Sequence, residues 1–412
     1  MDTGTTAFML ACIIGLTMMI PGLALFYGGM VSVKSSINMM MMTFGAVAVV
    51  GVLWVLFGYS MVFGDSYGDS GLLGSITEYA GLGEAIADTE SSVPMSLFAV
   101  FQALFAAITV ALISGAVADR MKFGAWMVFA AIWAVVVYFP VAHWVFAFTN
   151  DIDTGGWIAN NLKAIDFAGG TAVHINAGAA ALALAIVLGK RATWGQAPRP
   201  HNVPLTLLGA GLLWAGWYAF NGGSALAAGN AASVVMLTTF IATCAAVLGW
   251  LAVEQLKTGH TTGIGAASGA IAGLVAITPS CAAVSPMGAI LVGLVAGAVC
   301  PLAVALKDRF GYDDSLDVVG VHLVGGVIGT LMIGIVGNSD MPSAVDGLLY
   351  GGGLEPLGRQ FVAAAAVLAY SFVVTAVIAM ALKATIGIRV SPEDEAGGID
   401  SKLHRDPAYD LV

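Results

Sequence analysis

The sequence contains little charge. Only 10% of its 412 residues are Asp, Glu, Lys or Arg, whereas soluble domains carry about 25%. At the same time, 59% of the residues are hydrophobic. This composition excludes an ordinary water-soluble fold and predicts a polytopic protein embedded in a lipid bilayer. The few basic residues form no stripe along the chain, so we expect no nucleic acid partner.

Cysteine is also scarce. The four thiols are Cys12, Cys244, Cys281 and Cys300; none forms a CxxC pair, and three lie inside apolar runs. A free cysteine in such surroundings behaves as a small buried hydrophobe. We therefore predict neither a disulfide nor a metal site.

The sequence patterns of enzymes and cofactor sites are missing. There is no GxxxxGKS/T segment, no GxGxxG between a strand and a helix, and no evident Ser-His-Asp or paired-carboxylate arrangement. Those patterns carry phosphate binding, dinucleotide binding and acid–base chemistry. We therefore expect no catalytic residue, no cofactor and no enzymatic activity.

Eleven apolar runs are long enough to cross a bilayer as helices, which takes about 20 residues each. In lipid, only helices and closed barrels satisfy the backbone groups, and runs of this length favour helices. The sequence thus predicts an all-α membrane protein with spans at about 6–31, 40–64, 95–118, 123–148, 169–189, 203–222, 231–256, 262–279, 285–306, 317–336 and 358–388.

The basic residues predict how the chain lies in the membrane. If the N-terminus is outside, 13 of the 15 Lys and Arg residues fall in cytoplasmic segments, and only Lys163 and Arg359 fall outside. Positively charged loops stay in the cytoplasm. We therefore expect the N-terminus out, the C-terminus in, and the cytoplasmic membrane as the location. Residues 1–390 then form the transmembrane domain and residues 391–412 a cytoplasmic tail.

Two segments with the same spacing indicate an internal duplication. Asp166 precedes His174 by eight residues in the fifth span, and Asp314 precedes His322 by eight residues in the tenth. A second pair of similar segments, FYGG and FNGG, ends the first and the sixth span. Corresponding elements are therefore five helices apart.

Because five is odd, the two copies must run through the bilayer in opposite directions. The first repeat covers about 6–189 and the second about 203–336, while the span at 358–388 stays outside the repeat. Inverted repeats of this kind place the substrate site near the midplane, between the halves.

The two histidines are the first candidate site residues. An ionisable side chain inside the membrane is costly and marks a functional site by default. Facing imidazoles can share a proton through one pair of nitrogens, and imidazole titrates near neutrality. His174 and His322 therefore predict a pore with polar contacts or a proton relay. The alternative is two unrelated polar residues that bind neighbouring helices.

Aromatic residues gather near the predicted outer ends of the spans. Such rings form the interfacial belt of membrane proteins, but they also bind cations, and stacked Phe rings close a narrow pore by excluding water. The candidates are Phe101 and Phe105 in the third span, Phe146 in the fourth, and Trp217 and Phe220 in the sixth, followed by Ser224 as a hydrogen-bond acceptor.

Asp166 lies just before the fifth span, near its outer end. A carboxylate at this position caps the helix by accepting bonds from its free N–H groups. Its second possible role is to attract cations to an outer vestibule, together with the acidic outer loops. The sequence leaves both roles open.

Longer stretches of the chain resemble the ammonium transporter (Amt/Mep/Rh) family, and the bacterial Amt branch most closely. The resemblance implies a homotrimer with one narrow pore per subunit, which conducts ammonium or ammonia and accepts methylammonium as an analogue. The stretches are LALFYGG (23–29), ITVALISGAVADR (108–120), DFAGGTAVHINAG (166–178), GWYAFNGGS (216–224), GAIAGLVAITP (269–279) and VGVHLVGG (319–326).

The resemblance also implies roles for single residues: twin histidines in the pore, a gate of two stacked rings, and an outer cation site. These residues are His174 and His322 in the pore, Phe105 and Phe220 in the gate, and Phe101, Phe146, Ser224 and Asp166 in the outer site. We add Trp217 to the outer site from its place near the end of the sixth span. The family's usual tryptophan is here Phe146, which lacks an indole N–H and is the weaker ring for a cation.

The tail is similar to the regulatory segment of the same family. That segment packs on the cytoplasmic face, couples subunits, and lies beside the docking surface for PII-type signalling proteins. Arg389, Gly398 and Asp400 carry the resemblance, while Arg405 stands where a glycine is common. We therefore expect a regulatory tail and a cytoplasmic PII-type partner.

These features together predict an ammonium transporter. We expect it to collect the cation outside, deprotonate it near the Phe gate, pass ammonia along the histidines, and move net charge. Two alternatives stay open: a passive gas channel for ammonia or carbon dioxide, and an ammonium sensor that acts through a PII-type partner.

Overall fold

A computed structural model describes residues 1–88, 91–151, 153–195 and 200–409. Glu90 of the acidic outer loops, Arg199 of the basic cytoplasmic segments and residues 410–412 of the tail lie outside the described residues. The described chain consists of helices joined by loops and contains no strand, only three isolated bridges. The predicted all-α class is therefore confirmed.

Eleven main helices succeed one another along the described chain, and each falls on a predicted span. They are α1 (Thr3–Met30), α2 (Ser36–Phe63), α3 (Met95–Val117), α4 (Phe123–Phe146), α5 (Gly170–Leu188), α6 (Val203–Gly223), α7 (Asn230–Thr258), α8 (Gly263–Ile277), α9 (Pro286–Phe310), α10 (Val319–Val336) and α11 (Glu355–Thr385).

Ten of these described helices, all but α8, are long and apolar enough to cross a membrane. Helix α8 has 15 residues and is about 22 Å long at 1.5 Å per residue, less than the hydrocarbon core of about 30 Å. The crossing by α8 stays a prediction, and so does the orientation of the termini. The protein is a multi-pass membrane protein, and large apolar side chains such as Ile14 and Leu248 lie exposed on its outward faces.

The two histidine-bearing helices begin in the same unusual way. Helix α5 opens with a π-helical turn at Gly170–Ile175, and α10 opens with one at Val319–Leu323. Each turn contains one of the two histidines. Four further π-turns occur elsewhere in the described chain, so the duplication stays a prediction.

Helix α11, which lies outside the predicted repeat, forms a hydrogen bond with α4. Pro140 has no N–H, so the carbonyl of Val136 lacks its helical donor four residues on. The Tyr370 hydroxyl on α11 donates to that carbonyl at 2.7 Å. Side chains of α11 therefore complete hydrogen bonds that the helices of the first repeat leave open.

A buried cation joins the ends of α3 and α5 to the start of α10. The Arg120 side chain follows α3 and donates to the Gly189 carbonyl after α5 and to Ser315 before α10. Arg191 pairs with Asp313 at 2.9 Å. A buried charge needs such partners to offset its lost hydration, so this network fixes three chain segments at one place.

Candidate functional site

The structure brings His174 and His322 face to face. Nδ1 of His322 lies 3.3 Å from Nδ1 of His174, and both side chains are buried. Since one of these nitrogens must donate and the other accept, the pair shares a single proton. The Nε2 atom of His174 has no hydrogen-bond partner in the described part of the chain, and it is therefore available to a small polar guest.

Asp166 caps the π-turn that holds His174. Its carboxylate accepts from the N–H groups of Gly169, Gly170, Thr171 and Ala172, and from the Thr171 hydroxyl. The first four N–H groups of a helix have no partner within the helix. Both carboxylate oxygens are thus occupied by the protein, which favours the capping role over direct contact with a cation.

Asp314 plays the equivalent part for His322. It accepts from the N–H groups of Val318 and Val319 at 3.1 and 2.7 Å. Burial, and then the nearby Asp317, raise the pKa of Asp314 to about 6, against the opposing effects of Lys307 and the two N–H donors. The Asp314 carboxylate thus accepts two backbone bonds where the Asp166 carboxylate accepts four, although their spacing to histidine is the same.

Two glycines, each four residues after a histidine, let α5 and α10 cross closely. A Cβ added to Gly178 would lie 2.5 Å from the Leu323 nitrogen, and one added to Gly326 would lie 3.0 Å from the Gly170 carbonyl oxygen. Any side chain at these positions would push the helices apart. The close crossing is what brings the two imidazoles within hydrogen-bond distance.

A pair of stacked phenylalanines lies on the side of the histidines that the predicted orientation makes the outer one. The ring centroids of Phe105 and Phe220 are 3.9 Å apart with an interplanar angle of 16°. The Phe220 ring is 6.3 Å from that of His174. The candidate gate and the histidine pair are therefore consecutive along one path.

Trp217 lies on the histidine side of this pair and not in the predicted outer site. Its ring stacks on His174 with centroids 5.4 Å apart and an interplanar angle of 21°. Its Nε1 donates to the Thr278 hydroxyl at 2.8 Å. Trp217 and Phe220 are three residues apart on α6, which separates them by about 4.5 Å along the helix axis, enough to place Trp217 below the gate that Phe220 helps to form.

A small apolar cavity of about 10 Å³ lies below the gate, and Phe220, Trp217, His174 and His322 help to line it. This volume is near the lower limit for one water-sized molecule. The remaining lining is apolar, including Leu213. The cavity can therefore accept a small neutral molecule, while a bare cation would lose its hydration without replacement.

A much larger cavity, of about 850 Å³, opens on the other side of the gate; we call it the outer cavity after the predicted orientation. Phe105, Phe146, Asp166 and Ser224 help to line it. The Ser224 hydroxyl donates to the Phe220 carbonyl at 2.9 Å, which leaves its oxygen lone pairs as acceptors. Phe101 is instead fully buried.

The aromatic walls of the outer cavity are arranged around Phe105. The Phe101 ring packs 5.0 Å from Phe105 and supports it from behind. Phe146 meets Phe105 edge to face at 6.3 Å. Aromatic faces and the Ser224 oxygen together form a surface that suits a small cation. The outer-site residues are thus together, except that Phe101 lies behind the wall and Trp217 below the gate.

The residues singled out in the tail all contact the body of the protein. The Asp400 carboxylate accepts from the N–H groups of Ile37 and Asn38 at 2.9 and 2.8 Å, so it caps the first turn of α2. Arg389 donates to the Leu188 carbonyl at the end of α5 at 3.3 Å and also pairs with Glu395 of the tail at 2.7 Å. Gly398 has a φ of 105°, a conformation that favours glycine.

Arg405, which stands where a glycine is common, has a φ of 56°. It therefore retains the left-handed conformation that a glycine would adopt there, at some cost in strain.

Thr278 and Asn221 belong to the site but were not predicted. The Thr278 hydroxyl receives the Trp217 bond and lies 3.3 Å from Asn221 Oδ1. Both side chains are fully buried. No spacing in the sequence marks the pair, because only the packing of α6 against the end of α8 brings them together.

The chain is similar to known proteins in both sequence and structure. A family model described as "Ammonium Transporter Family" matches residues 7–409. The ammonium transporter of Mycobacterium tuberculosis is 53% identical, and the match covers 100% of this chain and 91% of that protein. The crystal structure of Saccharomyces cerevisiae Mep2 has a TM-score of 0.86 at 33% identity, covering 95% of this chain and 88% of that one. A structure described as "Sensor Amt Protein" has a TM-score of 0.89 at 27% identity, covering 97% and 98%.

Proposed function

Since this chain belongs to the ammonium transporter family, we propose that it carries ammonium across the cytoplasmic membrane along the path from the outer cavity to the paired histidines. The observation that supports this most directly is continuity. Phe105 and Phe220 stack at the inner limit of the outer cavity, and His174 and His322 follow on the other side.

Recruitment takes place in the outer cavity. Ammonium exchanges part of its water shell for the faces of Phe105 and Phe146 and for the oxygen of Ser224. Cation–π contacts are worth about 0.5–1 kcal/mol at exposed sites and more when water is excluded. Because Phe replaces the stronger tryptophan at position 146, recruitment is weaker than in relatives that carry the indole.

Deprotonation takes place at or near the stacked rings. The stack leaves no room for the water shell of a cation, and a charge in hydrocarbon costs several kcal/mol. Neutral ammonia avoids this cost, so the proton leaves ammonium before the nitrogen passes Phe220. Ammonia then exchanges hydrogen bonds with the two imidazoles in the small cavity.

The proton has its own route through the histidine pair. The Nδ1 atoms of His174 and His322 are 3.3 Å apart, and a shared proton can shift from one to the other. Transport then moves net charge. Proteoliposomes on a solid-supported membrane should give a current when ammonium is added. Normal uptake of ammonium without any current would contradict electrogenic transport.

A passive gas channel is the first alternative, and the apolar lining of the small cavity favours it. Uptake measured over a pH series distinguishes the two mechanisms. A gas channel tracks the concentration of free ammonia, whereas the proposed transporter tracks ammonium. Labelled methylammonium serves as the tracer in both cases.

An ammonium sensor is the second alternative, and the similarity to the "Sensor Amt Protein" structure favours it. In this chain the tail, through Asp400 and Arg389, lies against the inner ends of the membrane helices. We propose that the protein is a homotrimer and that a PII-type protein docks beside this tail. Co-purification of the full chain with such a protein, with and without ammonium, tests that partner.

A further inference from the structure

Gln360 makes an unusual set of contacts inside the membrane domain. It lies near the start of α11, and only 2% of the residue is exposed. Its Oε1 accepts from the Ile165 N–H at 2.7 Å, and its Nε2 donates to the Ile165 carbonyl at 2.6 Å. The side-chain amide thus pairs with both backbone groups of one residue, as a neighbouring strand would.

The segment that Gln360 holds is part of the proposed substrate path. Ala164, Ile165, Asp166 and Phe167 line the outer cavity. Asp166 directly follows the clamped residue and caps the turn that contains His174. A shift of the Ile165 backbone would therefore move both the cavity wall and the start of α5.

The same amide also reaches the helix of the second histidine. Nε2 of Gln360 lies 3.3 Å from the carbonyl oxygen of Thr330, which is on α10 eight residues after His322. One side chain from the helix outside the repeat thus contacts the segment that leads into α5 and the outer half of α10. These are the two elements whose crossing brings the imidazoles together.

We propose that Gln360 is a positioning residue for transport, which sets the Ile165 wall of the outer cavity and holds the two histidine-bearing helices in register. This inference rests on the proposed function. Ile165 is half-buried and lines the outer cavity, and loss of Gln360 removes the side-chain partner of both its backbone groups. The loop then moves to find other partners, and the recruitment site changes shape.

Gln360→Met tests the pairing, because methionine has a similar volume and no comparable donor or acceptor. We expect the apparent KM for ammonium to rise roughly five- to tenfold, the equilibrium factor for about one lost hydrogen bond. We also expect the ratio of methylammonium to ammonium uptake to change, because the cavity wall moves. Purified wild-type protein in proteoliposomes, measured in parallel, provides the reference.

Gln360→Glu keeps the test valid even if the methionine variant does not fold. A neutral carboxyl group offers one acceptor and one donor, as the amide does, whereas an ionised one offers acceptors only. The apparent KM of Gln360→Glu should therefore approach the wild-type KM as the pH falls. If burial keeps the new carboxyl group neutral, its KM should stay near the wild-type value throughout.

Thr375→Val on the same helix is the matched control. Thr375 is also fully buried, and it accepts from Trp133 Nε1 at 2.8 Å, away from the clamped segment. This variant should lose stability without a change in KM or in the methylammonium ratio.

The proposal is overturned if Gln360→Met transports with the wild-type KM and methylammonium ratio, or if Gln360→Glu is no better than Gln360→Met at any pH. Equal kinetic defects in Thr375→Val would also overturn it. Failure of the proposed function itself appears differently, because the wild-type protein would then not transport ammonium.

Discussion

Replacing Asp166 with alanine should destabilise the start of α5 and thereby abolish transport. The Asp166 carboxylate accepts four backbone N–H groups and one hydroxyl. Alanine leaves all five donors without this acceptor. The expected primary defect is therefore in folding and not in the attraction of a cation.

The magnitude of this defect follows from the number of bonds. A hydrogen bond to a charged group contributes about 1.5–3 kcal/mol, and an unsatisfied buried group costs a similar amount. Water from the adjacent outer cavity replaces some of the lost partners, so five full penalties do not add up. We expect a loss of roughly 3–5 kcal/mol. Asp166→Asn keeps one of the two acceptor oxygens, so its stability should lie between those of the wild type and Asp166→Ala.

Thermal unfolding of the purified protein and ammonium uptake should be measured together. Asp153→Ala is the control, because Asp153 lines the same cavity and carries the same charge, yet it does not cap α5. We expect Asp166→Ala alone to lower the unfolding temperature. If Asp166→Ala unfolds like the wild type and loses uptake all the same, the carboxylate acts on the substrate and the capping argument is wrong.

Three further predictions concern the outer site, the second cap and the tail. Phe146→Trp should lower the apparent KM for ammonium by up to about fivefold, since indole is the stronger ring and a whole exposed cation–π contact is worth about 0.5–1 kcal/mol; an unchanged KM in uptake assays would contradict a cation contact there. Because the pKa of Asp314 is raised to about 6, its contribution to stability is present below pH 4 and lost as the pH rises through 6. The unfolding temperature of Asp314→Asn relative to wild type should therefore rise from pH 4 to 6 and then level off, and a flat difference would refute the burial argument. Asp400→Ala removes the acceptor for Ile37 and Asn38, so limited proteolysis should cleave the tail faster; an unchanged rate would mean that other contacts hold it.

Much of the helical framework could be predicted from the sequence because a membrane span needs a long apolar run. The predicted spans at 123–148 and 203–222 correspond closely to α4 (Phe123–Phe146) and α6 (Val203–Gly223). The predicted span at 262–279 also corresponds to a helix, α8 (Gly263–Ile277), which is shorter than the other ten.

The candidate pore could be located from one repeated spacing, because an aspartate cap fixes where a helix starts and hence where a histidine eight residues later lies. The side of the gate on which Trp217 lies could not be predicted in this way. Its separation from Phe220, about 4.5 Å or three residues along the helix axis, decides it. The contacts of Gln360 could not be predicted from the sequence either, because its bonds to Ile165 join segments nearly 200 residues apart and follow only from helix packing.

The most direct measurement of the central claim is ammonium uptake by His174→Ala in proteoliposomes, together with a check that the subunits still assemble. The proposed path predicts a protein that assembles as before but has lost flux or selectivity for ammonium over other monovalent cations. Uptake and selectivity equal to those of the wild type would mean that the imidazole serves only the fold, and that ammonia takes another way through the membrane.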